Sequence, residues 1–114
     1  MLRSADRDTF TLIARRMKAM ADPARLLILH CLCDGERNVT ELVGETRLTQ
    51  ANVSKHLRVL SAEGLLNRRR NHRNIYYSLK DDLTREVCRL VCDSLEGSAS
   101  EEMDTIRNYW RNNE

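Results

Sequence analysis

The chain has 114 residues, the size of one domain, and its 41% hydrophobic and 32% charged residues are typical of an ordinary globular protein. One Pro and four Gly argue against a turn-rich all-β protein, and no run approaches the roughly 18 apolar residues of a membrane helix. No apolar signal segment is visible near the N-terminus, so the four Cys indicate a cytoplasmic protein with reduced thiols rather than a disulfide framework.

Charge is distributed unevenly along the chain, although the net charge is only +2. Residues 45–80 contain eight basic and two acidic residues, net +6, whereas residues 81–114 contain four and nine, net −5. A basic centre with an acidic tail is typical of a polyanion-binding patch. A random fluctuation of surface charge explains the same numbers, and charge alone leaves both interpretations open.

The N-terminal third predicts two helices. The first, over Ala5–Ala21, places four apolar residues at three- and four-residue steps on one face: Phe10, Ile13, Met17 and Met20. Asp22 as N-cap and Pro23 as first helical residue predict a second helix. Its apolar run Leu26–Leu29 predicts deep burial, and Gly35 ends it.

Two further helices are predicted between residues 38 and 62. Asn38 and Glu41 have the spacing of a capping box and predict a short helix that ends near Thr46. Thr49 is the predicted N-cap of a helix over Gln50–Ala62. The inward stripe of that helix consists of three residues: Val53, Leu57 and Leu60.

A β-hairpin and two more helical segments complete the chain. Arg68–Arg70 and the Tyr-rich Ile75–Leu79 flank the turn residues 71–74, which predicts a hairpin. A helix follows over Asp81–Glu96, with four residues predicted to face inward: Leu83, Val87, Leu90 and Val91. A last amphipathic piece carries Met103, Ile106 and Trp110. The order predicts a single winged helix-turn-helix domain over residues 1–114, mainly α with a small β-hairpin wing (α+β).

Three blocks of this sequence resemble the ArsR/SmtB family of bacterial repressors. They are Met20–Leu26 (MADPARL), Thr49–Leu57 (TQANVSKHL) and Leu60–Leu65 (LSAEGL), and the resemblance covers roughly residues 10–95. It implies a homodimer that occupies an operator until an effector binds. In one respect the chain departs from the family, which usually has Gly where Arg47 stands. A left-handed backbone at Arg47 would cost about 1 kcal/mol.

The helix Gln50–Ala62 is the predicted DNA-reading element. With the apolar stripe inward, Lys55 and Arg58 point outward, and a solvated polar face is the alternative interpretation. Gln50 and Asn52 can pair with adenine, and Lys55 can reach guanine or phosphate. The predicted DNA-binding residues are Thr49, Gln50, Ala51, Asn52, Ser54, Lys55, His56, Arg58, Arg70, His72 and Arg73.

Two parts of this prediction have alternatives. For His56 we favour a satisfied structural hydrogen bond over a direct base contact. The basic hairpin carries Arg70 and Arg73 with His72 at its tip, which suits a minor groove or phosphates. A charged edge that blocks aggregation is the alternative there.

The cysteines are the candidate sensing residues: Cys31, Cys33, Cys88 and Cys92. The family's Cys-x-Cys site is absent, since Asn38-Val39-Thr40 stands there, and Asp81-Asp82-Leu83 lacks the His of the family's zinc and nickel site. Cys88 and Cys92, one helical turn apart, can supply two thiolates to a soft metal(loid), with a third from Cys31 or Cys33. A sulfur-sensing switch with one Cys from each pair, or simple core packing, explains the same residues.

These patterns predict a homodimeric repressor that binds a palindromic double-stranded DNA operator and is released by an effector at the thiols. The alternative is a constitutive DNA-binding regulator with inert cysteines. No enzyme motif is present, no cofactor is required beyond a candidate cysteine-bound soft metal(loid) ion, and no membrane contact is expected. The first helix and residues 81–114 are expected to form the dimer interface and tail, and the tail is not expected to contact DNA.

Overall fold

The computed structural model describes residues 3–96 and 101–112, and within these the side chains of all but residues 101–103. The described residues form six helices and one two-stranded antiparallel hairpin. In chain order the elements are α1 (Ser4–Met20), α2 (Pro23–Leu32), α3 (Val39–Thr46), α4 (Gln50–Ala62), β1 (Leu66–Asn71), β2 (Asn74–Leu79), α5 (Leu83–Leu95) and α6 (Glu101–Asn112). The predicted order of elements is confirmed, including the acidic C-terminal helix.

The chain divides into two compact units. Residues 1–81 contain α1 to α4 and the hairpin, and residues 82–114 contain α5 and α6. The first unit contains the complete helix-turn-helix and its wing. The assignment of residues 1–114 to a single domain stays a prediction.

Local capping explains where three helices begin. The Asp22 carboxylate accepts a hydrogen bond from the third amide of α2 at 3.0 Å. At α3 the capping box is reciprocal, since Asn38 Oδ1 accepts from the Glu41 amide at 2.8 Å and Glu41 Oε1 accepts from the Asn38 amide at 3.0 Å. Thr49 Oγ1 accepts from the third amide of α4 at 3.1 Å. Each cap satisfies an amide that the helix itself leaves unpaired.

The core of the first unit is aliphatic. Its buried apolar residues are Ala19, Met20, Ile28, Leu29, Leu32, Leu42, Val53, Leu57, Leu60, Leu65 and Leu66. The predicted inward stripe of α4 is therefore confirmed, and each buried Leu or Val stabilises the fold by about 1.5–3 kcal/mol. The predicted burial of Leu26–Leu29 is only partly right, because Leu26, in the first turn of α2, is 36% exposed.

The prediction for α5 is partly wrong. Leu83 and Val87 are half-buried, but Leu90 and Val91 are 61% and 53% exposed. Hydrophobic periodicity identifies an apolar face but not whether the chain itself covers it. On α6 the Ile106 and Trp110 side chains are half-buried, and Met103 lies outside the described side chains.

At two glycines of the first unit, substitution by alanine is predicted to change the free energy of unfolding in opposite directions. Gly64, just after α4, has φ +75°, and a Cβ there would lie 2.8 Å from the terminal nitrogen of Arg16. Gly64→Ala should lower the free energy of unfolding by about 1–2 kcal/mol, because the left-handed backbone crowds a Cβ. Gly44 lies within α3 with open space around it, so Gly44→Ala should raise the free energy of unfolding by about 0.5–1 kcal/mol.

Urea unfolding followed by circular dichroism measures both changes. Gly44→Ala is the matched control, because it adds the same methyl group in the same unit. A destabilisation of equal size in the two variants would contradict the account of Gly64.

Candidate nucleic-acid interface

Helix α4 has one buried side and one exposed side. Val53, Leu57 and Leu60 are buried to within 1% of complete coverage, which fixes the rotation of the helix about its axis. The opposite side is exposed and polar or small, as predicted; its residues are Gln50, Ala51, Asn52, Lys55 and Arg58. The Thr49 side chain is also exposed, whereas Ser54 and His56 are half-buried. The exposed groups are of the types that read base edges and phosphates in a major groove.

Arginines from α1 hold the C-terminal end of α4. The Arg16 Nε donates to the carbonyl oxygen of Glu63 at 3.1 Å, and an Arg15 nitrogen lies 3.1 Å from the Glu63 carboxylate. Glu63 is the C-cap of α4, so Arg16 satisfies a carbonyl that the helix leaves without a partner. Both ends of α4 are therefore fixed by side-chain hydrogen bonds.

The turn before α4 has the backbone that the family resemblance implied. Arg47 has φ 62° and ψ 17°, in the left-handed region, although it is not glycine. Its side chain is exposed. From the sequence, Arg47 stands out only as a departure at a turn, and its role as an exposed cation next to α4 becomes visible only in the structure.

One ring nitrogen of His56 lacks a hydrogen bond within the part of the chain that the structure describes. The His56 Nδ1 is buried and has no hydrogen-bond partner among the described residues. His56 lies close enough to Asp22 to contribute to a lowered pKa of that carboxyl, although the main cause is the hydrogen bond from the Arg25 amide. The predicted structural hydrogen bond is therefore not formed at Nδ1 with any described residue, and the role of His56 stays a prediction.

Two arginines of β1 are held by aromatic rings of β2. In the antiparallel register Arg68 pairs with Tyr77 and Arg69 with Tyr76, and each guanidinium lies over the facing ring, at 5.8 and 5.0 Å from its centroid. Arg69 also forms two hydrogen bonds to Glu36, in the loop between α2 and α3. This hydrogen-bonded pair lowers the pKa of Glu36 and raises that of Arg69.

Arg70 and Arg73 differ from these two arginines. Both are exposed, and no acidic side chain among the described residues pairs with either. His72 and Arg73 form the two-residue tip between paired Asn71 and Asn74, with His72 at φ 57°. The tip thus presents uncompensated positive charge, as the prediction of DNA contact requires.

Strand β2 is hydrogen-bonded, at Tyr77, to the loop between α2 and α3. The Arg37 amide donates to the Tyr77 carbonyl at 3.0 Å, and the Tyr77 amide donates to the Arg37 carbonyl at 2.8 Å. The Arg37 side chain also bonds the Glu45 carboxylate of α3 at 2.7 Å. Sequence reasoning missed this tie, because it joins residues 40 positions apart with no local signal.

The two cysteines of α2's C-terminal end are half-buried. Burial raises the pKa of Cys31 to about 11, and the nearby Glu45 carboxylate adds to the rise. Cys33 Sγ lies 3.4 Å from the Leu29 carbonyl oxygen, to which it donates.

Cys88 and Cys92 are also half-buried, one helical turn apart on α5 as predicted. Burial raises the pKa of Cys92, with contributions from the neighbouring Asp93 and Glu96 carboxylates. Within each unit, the described residues do not bring three His, Cys, Asp or Glu side chains together in a group able to hold a metal ion.

Cys31 is predicted to be slow to alkylate. At pH 8 a pKa of about 11 leaves roughly 100-fold less thiolate than the ordinary value of 9.0 does, and the thiolate is the reacting form. Reactivity should therefore rise with pH well beyond the range in which an ordinary thiol saturates. Glu45→Gln removes a negative charge beside the thiol and should accelerate alkylation, although burial keeps it below that of an exposed thiol.

Peptide mapping after timed exposure to iodoacetamide measures the rate at Cys31 alone. Asp8→Asn, which neutralises an exposed carboxylate on α1, is the control and should leave the rate unchanged. A rate for wild-type Cys31 equal to that of free cysteine would show that its environment has been misread.

The capped α3, the turn, the half-exposed α4 and the basic hairpin together define a winged helix-turn-helix protein. A family model described as "Bacterial regulatory protein, arsR family" matches residues 22–68. The transcriptional repressor SmtB homolog of Synechocystis is 36% identical over 86 residues, 75% of this chain and 65% of that protein. The probable mercury resistance operon repressor of Streptomyces lividans is 33% identical over 88 residues, 76% of this chain and 70% of that protein.

A solved structure agrees with these matches. The homodimeric winged helix-turn-helix DNA-binding domain of Mb0332 from Mycobacterium bovis superposes with a TM-score of 0.77 at 27% identity, covering 88% of this chain and 96% of that one. The chain therefore belongs to the ArsR family of bacterial regulatory proteins. It spans just under two thirds of the SmtB homolog's length. Within the described residues, no helix combines the length and hydropathy that a bilayer crossing requires.

Proposed function

We propose that this protein is a homodimeric transcriptional repressor that binds a palindromic DNA operator through α4 and the hairpin. The observation that carries the proposal is the division of α4 into a buried apolar stripe and an exposed polar edge with Lys55 and Arg58. The protein reads DNA rather than catalysing a reaction, in keeping with relatives that are transcriptional regulators. A bacterial DNA-binding regulator acts in the cytoplasm, where reduced thiols are expected.

The distribution of uncompensated cations supports the DNA-binding role. Exposed cations without an acidic partner among the described residues include Lys55 and Arg58 on α4 and Arg70 and Arg73 on the hairpin, although others, such as Lys18 on α1, lie elsewhere. Arg69, in contrast, is neutralised by Glu36. Duplex DNA would supply the missing counter-charges, and the helix would read base edges while the hairpin tip contacts phosphate or an adjacent minor groove.

Exposed apolar side chains support the homodimer. On α1, Phe10 and Met17 are 59% and 58% exposed, and Ile13 between them is also exposed. On α5, Leu90 and Val91 are exposed in the same way. Apolar side chains grouped at helical spacing mark surfaces that another molecule covers. A second copy covers such faces and supplies the second recognition helix that two half-sites about 34 Å apart need.

The effector is proposed to act at the cysteines. A soft metal(loid) such as arsenite, or a reactive sulfur species or oxidant, would engage one thiol from each pair, with Cys31 or Cys33 acting together with Cys92. The relative named as a mercury resistance repressor supports the first chemistry, since mercury is thiophilic. The raised pKa of Cys31 and of Cys92 opposes both chemistries equally, because the thiolate is the form that binds a metal(loid) and the form that attacks an oxidant.

A constitutive regulator without an effector is the second candidate. The observation that favours it is the half-buried state of all four cysteines, two of them with a raised pKa, which is how packing cysteines behave. The two candidates share the DNA-binding surface and differ only in whether thiol reagents release the DNA.

Substitutions on α4 test the reading surface. A duplex selected by the wild-type protein from a random pool serves as probe, in fluorescence anisotropy at several salt concentrations. Lys55→Ala should weaken binding and, if the contact is to phosphate, make the salt slope less steep by about 0.9. Gln50→Ala should relax preference at one base position by about 1–3 kcal/mol if its pair is bidentate.

Lys18→Ala, on α1, removes the same charge away from α4 and should bind as wild type does. Unchanged affinity and preference in both α4 variants would show that the wrong face was assigned. A wild-type protein that selects no duplex would refute the DNA-binding function itself.

Four single Cys→Ser variants test the switch. Each is bound to the selected duplex and titrated with arsenite, cadmium, polysulfide and peroxide. Cys92→Ser, and either Cys31→Ser or Cys33→Ser, are expected to stay on the duplex when the effector is added. For wild type, a 100-fold fall in DNA affinity on effector binding would correspond to about 2.7 kcal/mol of coupling. Release of all four variants like wild type would eliminate the cysteines as sensors, and no release of wild type by any reagent would favour the constitutive regulator.

A further inference from the structure

Arg47 is an unusual residue at the turn between α3 and α4. It adopts the left-handed conformation, φ 62° and ψ 17°, in which a Cβ crowds the following carbonyl and which glycine adopts freely. Non-glycine residues in this conformation concentrate at functional sites. The Arg47 side chain is exposed, so packing does not explain why an arginine stands there.

Hydrogen bonds on both sides hold this backbone conformation. The Arg47 amide donates to the Val43 carbonyl at 2.9 Å. The Thr46 hydroxyl donates to the carbonyl of fully buried Leu42 at 2.6 Å and accepts from the Leu48 amide at 3.2 Å. The turn cannot relax without breaking these bonds, so the direction in which the Arg47 side chain leaves the backbone is fixed.

The Arg47 guanidinium has no acidic partner among the described residues. The nearest carboxylate along the chain, Glu45, is bonded to Arg37 at 2.7 Å. Two other arginines of the first unit do have carboxylate partners, Arg15 with Glu63 and Arg69 with Glu36. Arg47 thus belongs to the uncompensated cations of the basic centre, together with those of α4.

Its position places it beside the reading helix. Arg47 precedes Gln50, the first residue of α4, by three residues, so their Cα atoms lie at most about 11 Å apart. An exposed cation at that distance from the start of a helix in the major groove is within reach of the sugar-phosphate backbone that borders the groove. Contacts of this kind set register and orientation on the duplex and carry no base information.

We propose that Arg47 is a DNA-backbone contact: held in a left-handed turn, it neutralises one phosphate next to the N-terminal end of α4. This inference rests on the proposed DNA-binding function. A glycine at this position would form the same turn but would lack the contact.

Three substitutions separate the charge from the turn. Arg47→Asn removes the charge and keeps a residue that tolerates the left-handed backbone, Arg47→Gly removes the charge and the crowding, and Arg47→Lys keeps the charge. Circular dichroism and urea unfolding confirm that each variant folds. Binding is measured on two 30-base-pair duplexes, one selected by the wild type and one of arbitrary sequence.

Loss of one phosphate contact predicts a defined change. For Arg47→Asn and Arg47→Gly, affinity at 0.1 M salt should fall by about eightfold on both duplexes, and the salt slope should become less steep by about 0.9. Arg47→Lys should retain the wild-type slope. An unchanged slope in the two neutral variants, under conditions where Lys55→Ala changes affinity, would overturn the proposal.

A loss confined to the selected duplex would also overturn the proposal, because it would indicate a base contact. If the wild-type protein bound neither duplex, the DNA-binding function would fail before Arg47 came into question. The two failures are therefore distinguishable.

Discussion

The burial of Val53, Leu57 and Leu60 is the constraint on which the rest of the candidate interface depends. These three side chains leave α4 one rotational setting in which all three are removed from water. Turning the helix by a single residue, about 100°, would bury Lys55 or expose a Leu. Burying an unpaired ammonium group destabilises a fold far more than one apolar contact stabilises it. The outward direction of the polar edge therefore follows from packing alone. The chemistry of the surface is thus set by the aliphatic cluster beneath it.

Those parts of the structure that rest on local interactions could be read from the sequence. The caps at Asp22, Asn38 and Thr49 involve atoms three residues apart, so their signals lie within one short window, and the helix starts they predict are the observed ones. The same holds for the inward stripe of α4, because helical geometry converts spacing into direction. The left-handed backbone at Arg47 came instead from a family resemblance, since no local pattern of this sequence indicates it.

The remainder depends on which distant segments meet. Leu90 and Val91 fit an inward stripe by spacing, but spacing does not say whether the chain or another molecule covers them. The ion pair of Glu36 with Arg69 joins residues 33 positions apart. The charges counted along the sequence therefore could not predict that the hairpin is partly neutralised. His56 lies near the inward stripe of α4, yet its Nδ1 has no partner among the described residues, which only the packed structure reveals.

The backbone bridge of Arg37 with Tyr77 has a consequence for how this fold tolerates changes in length. Two hydrogen bonds fix Tyr77 of β2 to Arg37 in the loop between α2 and α3. An inserted or deleted residue near Arg37 would therefore shift that pairing by one position. Beyond Asn71 and Asn74 the tip carries no such tie, and exposed tips of this kind accept insertions. Related chains can therefore lengthen or shorten the tip, and so alter how far the hairpin reaches, while the pairing of Tyr77 with Arg37 keeps its register.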